Sequence, residues 1–566
     1  MSPLAVIGRF RRGCPRRELV IFVVVQVLLG LLFFHLYGEH YLPEVIEKLQ
    51  RNSPLVAFDA SRVDQLDHDS NEKEYDHKSS TYKTASEGDT GSHKLDLMST
   101  LTLVDVTSKN NLPARHMADE DKLANKNREP SAAPASVSEN TTDFHLENRS
   151  KMIFNNEQTY TLKDDNNQYF VTMSPKLICY GEGTDLEKMK TIVNASSCLC
   201  KQRYYGADCG LPDAIWNSPY GQTNNHDNLK RRQVPRRVIN GLPLLNEVAL
   251  LEARVNDLAG AVDLFLLAES NYSAHGDPKK LYIKQKLEDG FLREFHHQIL
   301  HVFVGFFPTR GKTDNWYADQ YLRVYMGKMG IPRISGIRDD DLFILNDADE
   351  MPSREVVMFL KLYDGYTEPV ALALRWSIYG FFFKNLAAEN AVTRLLNNRK
   401  ELTTTVSAVA TMGLVTKVLE NDPFMIRGRL TNAKSELLAA YNRQYPGLVN
   451  LWTAGGVDHY CGWHCSWCFS PEGIVLKLDS AQAGDKPRWG DYPEKHDLAY
   501  LADLIKYGGW FDGSHNTKLV PPDEVFYAPP FLLKHATRFQ SILIHPAQRE
   551  TFPNSSAFID DLLTRQ

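Results

Sequence analysis

Residues Leu19–Tyr37 read LVIFVVVQVLLGLLFFHLY, nineteen positions without a formal charge, and no other stretch constrains the chain so strongly. As a helix they span about 28 Å, close to the hydrocarbon thickness of a bilayer. The alternative is a cleaved signal peptide, whose apolar run is usually roughly 7–15 residues. Gly38-Glu39-His40-Tyr41 offers no small-x-small cleavage site, so residues 19–37 read as a transmembrane signal anchor. Arg9, Arg11, Arg12, Arg16 and Arg17 precede the run and Glu39 follows it. The positive-inside rule then makes residues 1–18 a cytosolic tail and places the chain after residue 38 on the lumenal or extracellular side. Five N-x-S/T sequons, at Asn140, Asn148, Asn194, Asn271 and Asn554, and seven of the eight cysteines lie on that side, which suits glycosylation and an oxidising compartment. Cys14, beside the membrane, is a palmitoylation candidate or a plain thiol.

The anchor also divides the charge. The tail carries +4 within a net charge of -6, leaving -10 for the remainder. An acidic chain lacks the clustered Lys and Arg that neutralise phosphates, so nucleic acid is excluded as a partner. Length alone allows three to four domains, but all eight tryptophans follow residue 215 and no cysteine falls between Cys14 and Cys179. Residues 38–176, rich in Ser, Thr, Asn, Asp and Lys, read as a flexible stem that buries too little apolar surface to offset its ordering entropy. Residues 177–212 hold Cys179, Cys198, Cys200 and Cys209, with Tyr204, Tyr205 and Gly206 between the last two. This stretch resembles the C-terminal half of an EGF-like module. Four cysteines permit three pairings, and sequence does not choose among them. Zinc is the less favoured reading, since no His lies in the cluster.

From residue 235 to 545 the texture becomes that of a single large domain, followed by a C-terminal tail, 546–566. Val262–Ala268, Gln298–Val304 and Leu342–Leu345 read as strands. Helices are expected from Thr313-Asp314 and from Ser353. Strands alternating with helices predict an α/β fold around a parallel sheet with ligands at the strands' C-terminal ends. Asn346-Asp347-Ala348-Asp349-Glu350-Met351-Pro352 stands at such an end. Its carboxylates repel one another unless a cation or hydrogen-bond donors compensate them. In an extended segment Asp347 and Asp349 point the same way, and hard oxygen ligands suit Mn2+ or Mg2+ bridging to phosphate. The alternative is a solvated acidic turn. No dinucleotide fingerprint, P-loop, H-E-x-x-H or G-x-S-x-G is present, which removes dehydrogenase, P-loop kinase, zincin and serine hydrolase readings. A metal and nucleotide-sugar site in a lumenal glycosyltransferase remains. The Glu269-Ser270-Asn271 loop, after the first strong strand, is placed to hold base and ribose, although Asn271 is also a sequon. Trp463, Trp467, Trp489 and Trp510 are candidates for stacking on sugars or for the core.

Glu269-Ser270-Asn271, Asp347-Ala348-Asp349-Glu350, Leu360-Lys361-Leu362-Tyr363-Asp364-Gly365, Gly462-Trp463-His464-Cys465-Ser466-Trp467-Cys468-Phe469 and Pro487-Arg488-Trp489-Gly490-Asp491-Tyr492 resemble, in order and spacing, glycosyltransferase family 17. The resemblance runs from about Cys179 to Arg538. It implies a type II Golgi protein whose GT-A-like, Rossmann-type domain transfers N-acetylglucosamine from UDP-GlcNAc to the core β-mannose of N-glycans in β-1,4 linkage, with inversion and a divalent metal. On matched positions, Asp349 would bind the metal, and Asp347 would bind ribose or a metal-bound water. Asp491 is the preferred base, ahead of Glu350 and Asp458, and Arg488 a diphosphate contact. The resemblance also favours a structural disulfide between Cys465 and Cys468 near an acceptor site that holds Trp463, His464 and Trp467. Cys461 departs from the family pattern and makes the lumenal cysteine count odd, which leaves a disulfide-linked homodimer open. The rival readings are a lumenal glycosyltransferase with another acceptor, and a non-catalytic EGF- or lectin-like adhesion module.

Overall fold

The computed structural model describes residues 154–192, 195–218, 226–387, 400–480 and 487–551. The anchor, the stem before residue 154, Cys14 and the sequons Asn140, Asn148, Asn194 and Asn554 lie outside the described residues. Among the described residues no helix is long and apolar enough to cross a membrane.

Nine strands form the central sheet: β1 (Val238–Leu244), β2 (Leu264–Ser270), β3 (Ile299–Val304), β4 (Leu342–Leu345), β5 (Glu350–Pro352), β6 (Glu368–Ile378), β7 (Thr403–Thr411), β8 (Val449–Ala454) and β9 (Gly462–Ser466). Their order is β5-β9-β6-β7-β4-β1-β2-β3, with β8 also pairing β6. The strands β3, β2, β1 and β4 are mutually parallel. They are linked through helices α1 (Val248–Asp257), α2 (Tyr282–Glu288) and α3 (Asn315–Gly330). This 3-2-1-4 order is one half of a doubly wound sheet, which reverses between β1 and β4 and opens a crevice at their carboxyl ends. The second half departs from the expected parallel sheet. There, β7 runs antiparallel to both β4 and β6, and β5 antiparallel to β9, so the sheet is mixed.

Alternation along β2 explains why both faces are covered. Phe265 and Leu267 enter one core, with Val356 and Val357 of α4 (Arg354–Leu362). Leu264, Leu266 and Ala268 enter the other, with Met326 of α3. A strand buried on both faces is read as a continuous apolar run. At Gly241 of β1 a Cβ would lie 2.7 Å from Phe343 Cζ and 2.8 Å from Met326 Cε, so the neighbouring strand and α3 close directly onto the strand backbone from one face.

The expected stem boundary at residue 176 moves. Phe154 is fully buried in the first core, Tyr160–Thr161 pairs parallel with Ile334–Ser335, and Leu162 is buried in the second core. A hairpin of Phe170–Ser174 with Leu177–Tyr180 crosses the boundary itself. Apolar residues in a polar background tie residues 154–176 to the main folded body. In the cysteine module the bonds are Cys179–Cys198 and Cys200–Cys209. The module docks on α4, where Glu182 meets Arg354 at 2.7 Å and the Tyr363 hydroxyl donates to Asp208 at 2.8 Å. At the other end, Pro546–Thr551 forms a helix where a tail was expected.

Candidate active site

The crevice at the carboxyl ends of β1 to β4 is a cavity of about 310 Å³, within the size range of small-ligand sites. Each parallel strand contributes at its end: Pro243–Leu245, Ser270, Val304, and the Asp347–Asp349 segment. Lys279, Arg323 and Lys477 also line it, as do the rings of Tyr272, Phe307, Trp316 and Trp467.

Asp347–Glu350 is a tight turn, where an extended segment was expected. The Glu350 N–H donates to the Asp347 carbonyl at 3.0 Å, and the Asp347 N–H donates to Glu350 Oε2 at 2.8 Å. The turn still delivers Asp347 and Asp349 to one cavity. It also sends Glu350 the other way, into a two-pronged pair with Arg427 at 2.7 and 3.0 Å. The buried guanidinium of Arg254 supports the turn from below, donating to the carbonyls of Asp347, Ala348 and Glu350.

Charge within the site is balanced by the chain. Arg323 donates to Asp347 Oδ1 at 2.7 Å, and Arg427 lies 3.6 Å from Oδ2. Burial alone would raise the Asp347 carboxyl, but these two guanidinium groups hold it well below the usual carboxylate range. At Asp349 burial is likewise outweighed, here by Lys477, 3.3 Å from Oδ2, and by His464, 3.8 Å from Oδ1, and the carboxyl is lowered. Glu247 goes the opposite way: burial raises it despite Lys477 nearby. Burial pulls Arg254 down to about 10 against the field of the carboxylates.

Among the described residues no group of three or more His, Cys, Asp and Glu side chains forms a ready-made metal shell. Two ionised carboxylates opening on a cavity do fit Mg2+ or Mn2+, because such ions are usually held by one or two carboxylates together with substrate phosphates and water.

The other expected site residues are distributed differently. Glu269 is fully buried, and its oxygens accept the N–H groups of Ile283 and Lys284, both at 2.9 Å; it caps α2 and does not line the cavity. Asn271 sits beside the lining residues Ser270 and Tyr272, its Oδ1 buried without a partner. Asp491 is largely exposed and pairs with Arg488 at 3.4 Å. Neither residue lines the cavity, and Asp458 is exposed on a separate loop. His464 is held through both ring nitrogens, by Thr404 at 2.8 Å and Ser466 at 3.0 Å, and supports Asp349 from behind. Trp463 is core, stacked on Phe526 at 4.4 Å with its N–H on the Phe526 carbonyl. Trp489 and Trp510 pack on Phe511, as Trp467 does, but of the four only Trp467 also lines the cavity. Cys465 and Cys468 are bonded. Cys461 is a free thiol with no exposure, pushed up to about 12 by burial; of the two possibilities left open for it, the free thiol is the one found. Sequence reasoning missed Arg254, Arg323, Arg427, Lys279 and Lys477. Only Arg254 left a signal, a charged residue among Leu250, Leu251 and Val255 on the buried side of α1.

Residues 218–401 match the family model described as glycosyltransferase family 17. The chain is 40% identical over 361 residues to the Beta-1,4-mannosyl-glycoprotein 4-beta-N-acetylglucosaminyltransferase of Homo sapiens, covering 64% of each protein. It is 40% identical over 350 residues to the Mus musculus protein of the same name, covering 62% of each. The matches thus span a little under two thirds of these relatives' length. Among solved structures, a glucosyl-3-phosphoglycerate synthase from Mycobacterium tuberculosis, in complex with Mn2+, UDP and phosphoglyceric acid, aligns with 41% of this chain and 69% of its own. That alignment has 13% identity and a TM-score of 0.19, a likeness that carries no argument about this fold.

Proposed function

We propose that the chain is a metal-dependent, inverting glycosyltransferase that moves N-acetylglucosamine from UDP-GlcNAc to the core β-mannose of N-glycans in β-1,4 linkage. The observation that carries this reading is the pair Asp347 and Asp349 at the carboxyl ends of a 3-2-1-4 sheet, in a chain 40% identical to relatives bearing the name of that activity. Asp347 and Asp349 would hold the divalent cation, which when bound supplies Lewis-acid stabilisation of the departing diphosphate. The chain's own residues do the rest. Arg323 orients Asp347, the Arg427–Glu350 pair and Arg254 fix the turn, and Lys279 presents an ammonium to the same cavity. Tyr272, Phe307 and Trp467 offer ring faces to a nucleobase or sugar.

The glycoprotein acceptor and a single-pass type II Golgi location, with this domain lumenal, belong to the same proposal. The apolar run at 19–37 and the three disulfides support the location. The test incubates the full chain in detergent with UDP-GlcNAc, Mn2+ and a biantennary glycan and locates the new linkage. Transfer to the core β-mannose that is lost with EDTA and with Asp349→Ala is expected. Transfer elsewhere favours a different acceptor, and no transfer favours the adhesion reading. Resistance to carbonate extraction checks the anchor.

A further inference from the structure

Lys477 projects from helix α5 (Pro471–Ser480) to within 3.3 Å of Asp349 Oδ2. Its nitrogen lies 5.3 Å from the ring centroid of Trp467 and 5.5 Å from that of Phe469. Two aromatic faces stabilise a cation beside them without consuming its N–H donors. An ammonium has three donors, and among the described residues only Asp349 accepts one from Lys477. The same side chain lines the cavity that Asp349 lines. Lys477 therefore gives Asp349, at Oδ2, positive charge of the kind that a divalent cation would give it. A carboxylate oxygen held by an ammonium is a poorer ligand, since the incoming cation must displace that donor. An ammonium so displaced remains on its aromatic support, with donors free for an anion in the cavity.

We propose that Lys477 is an exchangeable counter-cation: it neutralises Asp349 in the empty site and passes to the donor's diphosphate when a divalent cation takes the carboxylate. This rests on the reading of the cavity as a metal and UDP-sugar site. Its consequence is a coupling between metal and nucleotide that runs through one side chain and adds to the coupling from their direct contact. Metal alone must displace Lys477 without compensation, whereas metal arriving with a diphosphate gives the displaced ammonium a new partner. Coupling of this kind is reciprocal.

Binding measurements test it without turnover. The full chain in detergent is titrated with Mn2+, free ion being read by electron paramagnetic resonance, with and without UDP. Wild type is expected to bind Mn2+ roughly tenfold more tightly when UDP is present. Lys477→Met is expected to bind Mn2+ alone more tightly than wild type and to show a smaller enhancement by UDP, while Lys477→Arg keeps both wild-type values. Lys477→Gln is a second neutral variant should Lys477→Met fail to fold, as judged by circular dichroism. Wild-type coupling that persists unchanged in the neutral variants overturns the role of Lys477 and leaves the metal–nucleotide reading standing. Independent binding of UDP and Mn2+ by wild type, or an Asp349→Ala variant that binds Mn2+ and UDP as wild type does, overturns both.

Discussion

Glu350 shows how much one side chain decides here. It lies beside the two aspartates in sequence, yet its carboxylate is spent on Arg427 and on the Asp347 N–H, so its work is to shape the turn. Glu350→Gln would leave the part-buried Arg427 guanidinium with only Asp347, 3.6 Å away, as counter-charge, and losing hydrogen bonds to a charged group costs about 1.5–3 kcal/mol. We expect a clear drop in Tm and weaker Mn2+ binding; wild-type values for both would refute the role. Asp257 has a different signature. It lies mostly buried at the end of α1, and burial pushes its carboxyl up to about 7 from an ordinary 3.8. A carboxyl raised on folding holds its proton more tightly in the native state, so its contribution is most favourable below the unfolded value and declines as pH climbs through the folded one. Asp257→Asn keeps an acceptor for the Phe531 N–H, now at 2.9 Å, and removes the charge. The variant should match wild type near about pH 4 and melt higher than wild type at about pH 8, which thermal unfolding across pH will show.

At the scale of elements, β1 is the strand around which the sheet reverses, and its sequence conceals it. VINGLPL holds Asn240-Gly241 and Pro243, residues that locally favour turns or interrupt ladders. Tertiary packing overrides that preference: Gly241 is where Phe343 and Met326 close on the backbone. Gly241→Val should overpack this contact at a cost of about 1–3 kcal/mol, read as a shift in the denaturation midpoint with the fold retained. The strands β2, β3 and β4 were legible because each is an apolar run bounded by polar residues. The turn after β4 was legible in composition but not in shape, since its closure depends on Arg254 and Arg427 from distant segments.

For the whole molecule, the folded body extends further toward the N-terminus than composition implies. Phe154 is fully buried, in edge contact with His296 at 4.9 Å between centroids. Asp165 meets the buried Lys361 at 2.7 Å. A chain beginning at residue 154 should melt close to the full chain. Beginning at 177 removes Phe154, whose burial alone is worth about 3–5 kcal/mol in large-to-small comparisons, together with one strand of the hairpin. Equal melting of the two truncated chains would show that residues 154–176 contribute nothing.

By itself the sequence determined the apolar span, the two cysteine groups, the alternation of strands and helices in the domain, and the acidic string at a strand end, because each is written in contiguous residues whose period or charge is local. The tertiary structure decided the mixed sheet with its reversal between β1 and β4, the capping rather than binding role of Glu269, the burial of Trp463 and Cys461, and the placement of Asp491 outside the cavity. It also supplied Arg323, Arg427 and Lys477 as partners for the carboxylates. Those cations lie from 24 to 128 residues away from the acids they neutralise. Charge compensation is a property of distance in space, and local pattern does not record it.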